Sequence, residues 1–275
     1  MKPSGMTFDE AKHTYVNGVS GEMYTGCTTI SGAWKKEFLM AWYAKECADA
    51  VRANAGDIAK MLETGDMKAF DGLLLECKGA AKRKSDKAKK DGTAAHAAME
   101  AVVSAKIAGK EKFVMPELAS EESKNAFNAF VKWAKGKDIT WLASEELVVS
   151  HEHKVAGTLD AIAIIDGLTY LVDFKTSSQM SEDFLAQCAG YDIMLREMGL
   201  NVMGYMILRT PKDGSDCETL TITDSDDMQF FRDTFLKLRE AHKFFVYMAS
   251  KFKDASGRMM VDAKPKTAKK LTVKK

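Results

Sequence analysis

The chain has 275 residues, 46% of them apolar and 29% charged, and a formal net charge of +1. That balance suits a globular protein with a sizeable core and excludes a polycation that binds nucleic acid by bulk charge alone. No run approaches the roughly 18–20 apolar residues of a membrane span, and the opening MKPSGMTFDEAKH has no apolar signal core, so a cytoplasmic chain with no membrane partner is expected.

From Thr7 to Ile30, β-branched and turn residues predict one or two short strands around Asn17-Gly18. Apolar positions at three- and four-residue spacing then predict helices over 36–53, 57–64 and 67–89, with breaks near Gly56 and Gly65. A further helix is expected from a Thr93 cap to about Ile107, and another from Pro116 to about Lys135. The period changes at Ile139 to that of strands, over 139–150, 155–165 and 168–176. A helix over 181–198 capped by Ser181, strands over 201–210 and 218–223, and a long helix from Asp226 follow. Helices first, then strands interleaved with one helix, predict a single α/β domain over 1–262 with a central mixed sheet flanked by helices and a helical N-terminal half. The remaining residues, 263–275, hold six lysines and no acid and read as a disordered basic tail.

The informative segment is GTLDAIAIIDGLTYLVDFK, residues 157–175. Asp166-Gly167 between two apolar runs is a strong signal for a two-residue hairpin, which sets Ile165 against Leu168, Ile162 against Leu171 and Asp160 against Asp173. Opposed Cβ atoms lie roughly 4.5–5.5 Å apart, so two carboxylates there destabilise the sheet unless a cation lies between them. Lys175 shares a face with Asp173 by the two-residue alternation of a strand. In the plain structural reading Lys175 pairs with one aspartate while the other reaches solvent.

Weaker signals lie elsewhere. Gln187 and Tyr191 are four apart on one helix face, as are His96 and Glu100. Five scattered cysteines form no close pair and read as reduced thiols, with neither a zinc site nor a disulfide framework. Seven basic residues between Lys78 and Lys90, among them Lys82, Arg83 and Lys84, face a single acid, Asp86; they read either as a phosphate-contacting surface or as a solvated helix face.

In order and spacing, Gly92-Thr93-x-x-His96-x-x-x-Glu100, Gly157-Thr158-Leu159-Asp160, Asp173-Phe174-Lys175-Thr176-Ser177 and Gln187-x-x-x-Tyr191 resemble the PD-(D/E)XK nuclease superfamily, in its RecB-like exonuclease branch. The N-terminal Phe8-Asp9, His13-x-Tyr15 and Thr28-Thr29-Ile30 resemble the opening of phage and mitochondrial-maintenance members of that branch. The resemblance covers roughly residues 7–210 and implies a restriction-endonuclease-like core and a DNA exonuclease of recombination, repair or phage replication, acting in a bacterial or phage-infected cell. A recombination or single-strand-binding protein would be a natural partner.

The resemblance implies Mg²⁺ or Mn²⁺ held by Asp160, Asp173, the Phe174 carbonyl and His96, with Lys175 positioning or activating the attacking water. Gln187 and Tyr191 would contact the strand or orient Lys175, and Thr93, Thr176 and Ser177 would meet nucleic acid; Lys82, Arg83 and Lys84 join them on the phosphate-contacting reading of the basic run. A glutamate on the preceding strand often completes such sites. Glu145 matches better than Glu146, and only one can serve because neighbours in a strand point to opposite faces. The cysteine cluster of iron–sulfur relatives is missing, so no cluster is expected. A catalytically silent binding module of the same fold and a site-specific endonuclease are the alternatives.

Overall fold

The computed structural model describes residues 5–9, 14–33 and 37–252; the proposed tail lies outside them, as does His13. Three short strands, β1 (Met6–Asp9), β2 (Thr14–Asn17) and β3 (Met23–Gly26), lead into a helical stretch. It comprises α1 (Cys27–Ser31), α2 (Glu37–Ala53), α3 (Ala55–Thr64), α4 (Met67–Lys78), α5 (Ala80–Ile107) and α6 (Glu121–Ala134). The rest is β4 (Ile139–Ser150), β5 (Val155–Ile165), β6 (Leu168–Lys175), α7 (Glu182–Glu197), β7 (Gly204–Arg209), β8 (Glu218–Ile222) and α8 (Ser225–Phe252).

All eight strands join one mixed sheet in the order β1-β2-β3-β5-β6-β7-β8, with β4 also on β5. The β3–β5 and β6–β7 pairs are parallel and the others antiparallel. One face carries α7, with α1 and α8, over a core that includes Leu159, Ile162, Leu171, Tyr191 and Phe235. The other carries α5 and α6 over Ala95, Met99, Phe130, Ala161, Val172 and Phe174. The α/β class, the mixed sheet and the helical N-terminal half are as the sequence predicts. Among the described residues no helix is long and apolar enough to cross a membrane. All five cysteines are free.

Two expected helix starts are displaced. The helix expected from Thr93 begins thirteen residues earlier, so α5 runs unbroken through Gly92. Glycine inside a helix costs about 1 kcal/mol relative to alanine. Here a side chain would be crowded, because a Cβ at Gly92 would sit 2.5 Å from the Thr176 hydroxyl, which would have to turn away. The helix expected from Pro116 starts at Glu121, because Ser120 is the residue that caps it: its oxygen accepts from the Ser123 N–H at 3.1 Å, and Ser123 bonds back to the Ser120 N–H at 3.3 Å. Ser181 does precede α7, but its hydroxyl binds the Asp183 carboxylate instead of capping the helix.

Candidate metal centre

The hairpin forms around Asp166-Gly167 with φ of 50° and 84°, the left-handed pair that a two-residue turn needs. Its register runs as predicted from Ile165–Leu168 through Ile162–Leu171 to Ala161–Val172, and there it stops. Beyond that pair the strands part: β5 continues against β3 and β4, and β6 against β7. The two aspartates lie at the mouth of this opening, and Asp160 bridges it by accepting the Phe174 N–H on Oδ2 at 2.7 Å.

The simple alternation also slips in β5. Leu159 and Ile162, three residues apart, both pack on the α7 side, while Ala161 packs on the α5 side. Asp160 turns the same way and meets His96 of α5, whose Nε2 lies 3.2 Å from Asp160 Oδ2. Asp173 and Lys175 belong instead to the α7 side. Lys175 Nζ sits 2.6 Å from Asp173 Oδ2, donates to Gln187 Oε1 at 3.3 Å and lies over the Phe184 ring. The expectation that Lys175 shares a face with Asp173 thus agrees with the geometry. The direct opposition of the two aspartates is replaced by a wedge with one carboxylate on each side.

Glu145 and Glu146 part at the backbone. Glu145 has φ of 48°, an uncommon value for a non-glycine residue inside a strand. That twist directs its carboxylate to 3.8 Å from His96 Nδ1. Glu146 lines a separate cavity of about 490 Å³ with Ser144, Ile162 and Leu195. His96, Glu145 and Asp160 each offer one ligand atom, all within 4.8 Å of one another.

The protonation pattern is that of a site with too much negative charge. Burial pushes Glu145 up to about 7, reinforced by the Asp160 charge. Burial likewise pushes Asp173 up to about 6, with Lys175 opposing. For His96 burial acts downward, but the Asp160 hydrogen bond and the two neighbouring carboxylates outweigh it and hold the imidazole near 9. Asp160 stays below its usual value: burial works upward, and His96 and Lys175 overcome it. Lys175 is held above the ordinary lysine value, the lowering by burial being outweighed by Asp173 and Asp160.

These residues fit a divalent cation. The Glu145 and Asp160 carboxylates and the His96 imidazole converge, while Asp173, 1% exposed, stands outside that trio with the Lys175 ammonium 2.6 Å away and no well-directed hydrogen bond on either carboxylate oxygen. Buried carboxylates without such partners are costly unless a cation compensates them.

The other expected site residues divide sharply. Gln187 donates to the Tyr191 hydroxyl at 3.1 Å while its oxygen takes the Lys175 ammonium, so the pair holds the lysine. Tyr191 is 2% exposed, a core residue with its ring against Gly157. Thr93 is exposed on α5 one turn before His96, and Thr176 and Ser177 follow Lys175 directly. Lys82, Arg83 and Lys84 are far from this cluster, about 20 Å along α5 at 1.5 Å per residue. Their partners are Asp86, the Glu76 carbonyl and Glu46.

One residue absent from the sequence reading is Arg209 at the end of β7. Its guanidinium pairs with Glu218 and donates to the Ser177 and Ser178 carbonyls at 3.2 and 3.3 Å, fastening the loop that leaves Lys175. A lone arginine closing the apolar run Gly204–Arg209 was the available signal.

No family model matches the chain, and no curated protein does. Among solved structures, an alkaline exonuclease, LHK-Exo, from Laribacter hongkongensis matches at 12% identity over 56% of this chain and 84% of that one, with a TM-score of 0.28. LHK-Exo in complex with dAMP matches at 13% identity over 57% and 92%, with a TM-score of 0.27. These are weak likenesses to a nuclease.

Proposed function

We propose that this protein is a metal-dependent nuclease that hydrolyses DNA phosphodiester bonds, working from DNA ends as the resemblance of its motifs to the RecB-like branch implies. The observation that carries the reading is the convergence of His96, Glu145 and Asp160 beside the buried Asp173–Lys175 pair. His96, Glu145 and Asp160 would hold Mg²⁺ or Mn²⁺, with Asp173 and the Phe174 carbonyl completing the set. When bound, the ion lowers the pKa of a coordinated water and offsets charge on the phosphate.

The chain's own groups do the rest. Lys175, seated 2.6 Å from Asp173 and held by Gln187, is suited to position or activate a water or to contact a phosphate oxygen. Gln187, anchored by the buried Tyr191 hydroxyl, restricts the ammonium to that position. Arg209 keeps the next loop in register with β7. DNA is the proposed substrate, with a role in recombination, repair or phage replication and a recombination or single-strand-binding protein as partner.

The test is incubation with Mg²⁺ or Mn²⁺ and end-labelled linear, closed circular and single-stranded DNA, with Asp160→Asn as the inactive control. Linear DNA should be degraded and closed circles spared. Cleavage of circles would convert the reading to an endonuclease, and failure to cut any substrate with either ion would overturn it.

A further inference from the structure

The ends of two parallel neighbours, β6 and β7, open toward α5 next to the metal centre. Thr210, just past β7, donates its N–H to the Lys175 carbonyl at 2.7 Å, so Thr176 and the Pro211-Lys212 turn leave the sheet side by side. Both meet α5 at Gly92. The Thr176 hydroxyl lies 2.5 Å, and Lys212 Nζ 3.8 Å, from the point a Cβ there would occupy. The glycine makes room for the hydroxyl, and the ammonium lies beside it at an ordinary contact distance from the helix.

Both groups have hydrogen-bonding capacity to spare. Lys212 Nζ donates to the Ala88 carbonyl at 2.9 Å, which uses one of its three donors. Among the described residues it forms no ion pair. The carboxylates that act on it are engaged elsewhere: Asp91 with Ser120 and Lys87, and Glu122 with Lys87. Burial lowers the Lys212 pKa, as expected of an ammonium short of a counter-charge. The Thr176 hydroxyl makes no hydrogen bond among the described residues. Gly92 lies one helical turn from His96, about 6 Å along α5, roughly one nucleotide step along a strand.

Resting on the nuclease reading above, we propose that Lys212 and the Thr176 hydroxyl bind a backbone phosphate one nucleotide from the scissile position, independently of base sequence. This gives the substrate strand a second fixed point beside the metal centre, with Thr176 inside the resembling motif and Lys212 on a loop that the resemblance does not reach. Lys212 is thus a positioning residue, whereas Lys82 and Lys84 are paired with Asp86 and Glu46 and Arg83 donates to the Glu76 carbonyl, all about 20 Å from the metal centre along α5.

The experiment measures binding of single-stranded oligonucleotides lacking terminal phosphates, by fluorescence anisotropy over a salt series with Ca²⁺ in place of Mg²⁺ to suppress turnover. Lys212→Gln should weaken binding about fivefold at moderate salt and lower the slope of log K against log salt by about 0.7, the share of one phosphate contact on a single strand. Lys212→Arg should keep the slope. In Mg²⁺, the glutamine variant should raise KM more than it lowers kcat.

Asn125→Ala separates binding from a merely structural role. Asn125 Nδ2 donates to the Lys212 carbonyl at 3.1 Å, so its removal loosens the same loop and leaves the ammonium in place. Parental salt dependence in Asn125→Ala, with the loss confined to Lys212→Gln, supports the proposal. An unchanged slope in Lys212→Gln, or an equal loss in Asn125→Ala, overturns it while the nuclease reading stands. A parental protein that neither binds nor cuts DNA overturns both.

Discussion

Replacing Lys175 by methionine removes the charge but keeps most of the stem that packs over Phe184. Asp173, 1% exposed, then loses the ammonium 2.6 Å from its carboxylate. At that separation and an effective dielectric constant of about 20, the Coulomb attraction is about 6 kcal/mol. Desolvation of both ions offsets much of it, and deleting one partner of a buried pair typically costs about 3–5 kcal/mol. The predicted loss for Lys175→Met in EDTA is therefore about 3–5 kcal/mol.

Urea unfolding at pH 8, where proton uptake by the stranded carboxylate is least accessible, measures it. Two further results must accompany the loss. Asp173→Asn combined with Lys175→Met should recover most of the stability, because two neutral groups replace a charge without a partner. Saturating Mg²⁺ or Mn²⁺ should stabilise Lys175→Met more than the parent, since the ion supplies the missing positive charge; a ligand at 100 times its Kd is worth about 2.7 kcal/mol by mass action alone. If Lys175→Met unfolds at the parental urea concentration in EDTA, or if the double variant recovers nothing, the pair is not an energetic unit and the electrostatic argument for a cation site fails.

His96→Ala, Glu145→Gln and Asp160→Asn should each abolish the rise in Tm that Mn²⁺ gives the parent, while Glu146→Gln keeps it; the reverse result for the two glutamates would reject the ligand assignment. Gly190→Ala should cost about 1–3 kcal/mol in urea unfolding, because its Cβ would lie 2.5 Å from Phe235 Cε2 and 2.6 Å from Cys27 Sγ; parental stability would mean that α1, α7 and α8 do not pack this closely. The Asp91 carboxylate is held below its usual pKa by the Ser120 hydroxyl first and by Lys87. A depressed folded pKa contributes stability above the unfolded value of about 3.9 and loses it as pH falls through the folded value, so Asp91→Asn should be less stable than the parent at pH 7. The gap should close below about pH 4 in acid titrations; a gap independent of pH would show that the carboxylate charge does not matter there.

Much of the molecule was legible because its signals are local. Asp166-Gly167 between apolar runs dictates a left-handed two-residue turn, and the turn dictates the register from Ile165–Leu168 to Ala161–Val172. The strand periods of β4 to β6 and the four-residue spacing of Gln187 and Tyr191 are likewise properties of neighbours in sequence. The misplaced helix starts show where local reading ends. Gly92 looks like a boundary until Thr176, 84 residues away, fills the space a side chain would have taken. Pro116 looks like a first turn until Ser120 is seen satisfying the N–H of Ser123 and donating to Asp91 of α5.

For the candidate site, sequence alone determined which residue types were available and that Asp160, Asp173 and Lys175 would meet near the end of one hairpin. Only the tertiary structure decided how. Strands β5 and β6 part past Ala161–Val172, and the start of β5 pairs with β3 there instead, while β4 and β7 hold the outer edges of the two strands. Asp160 lies toward His96 and Asp173 toward Lys175, and at a left-handed kink Glu145, not Glu146, comes to lie beside His96. Such choices depend on what lies across the sheet and on the helices above and below it, and no spacing within one strand encodes them.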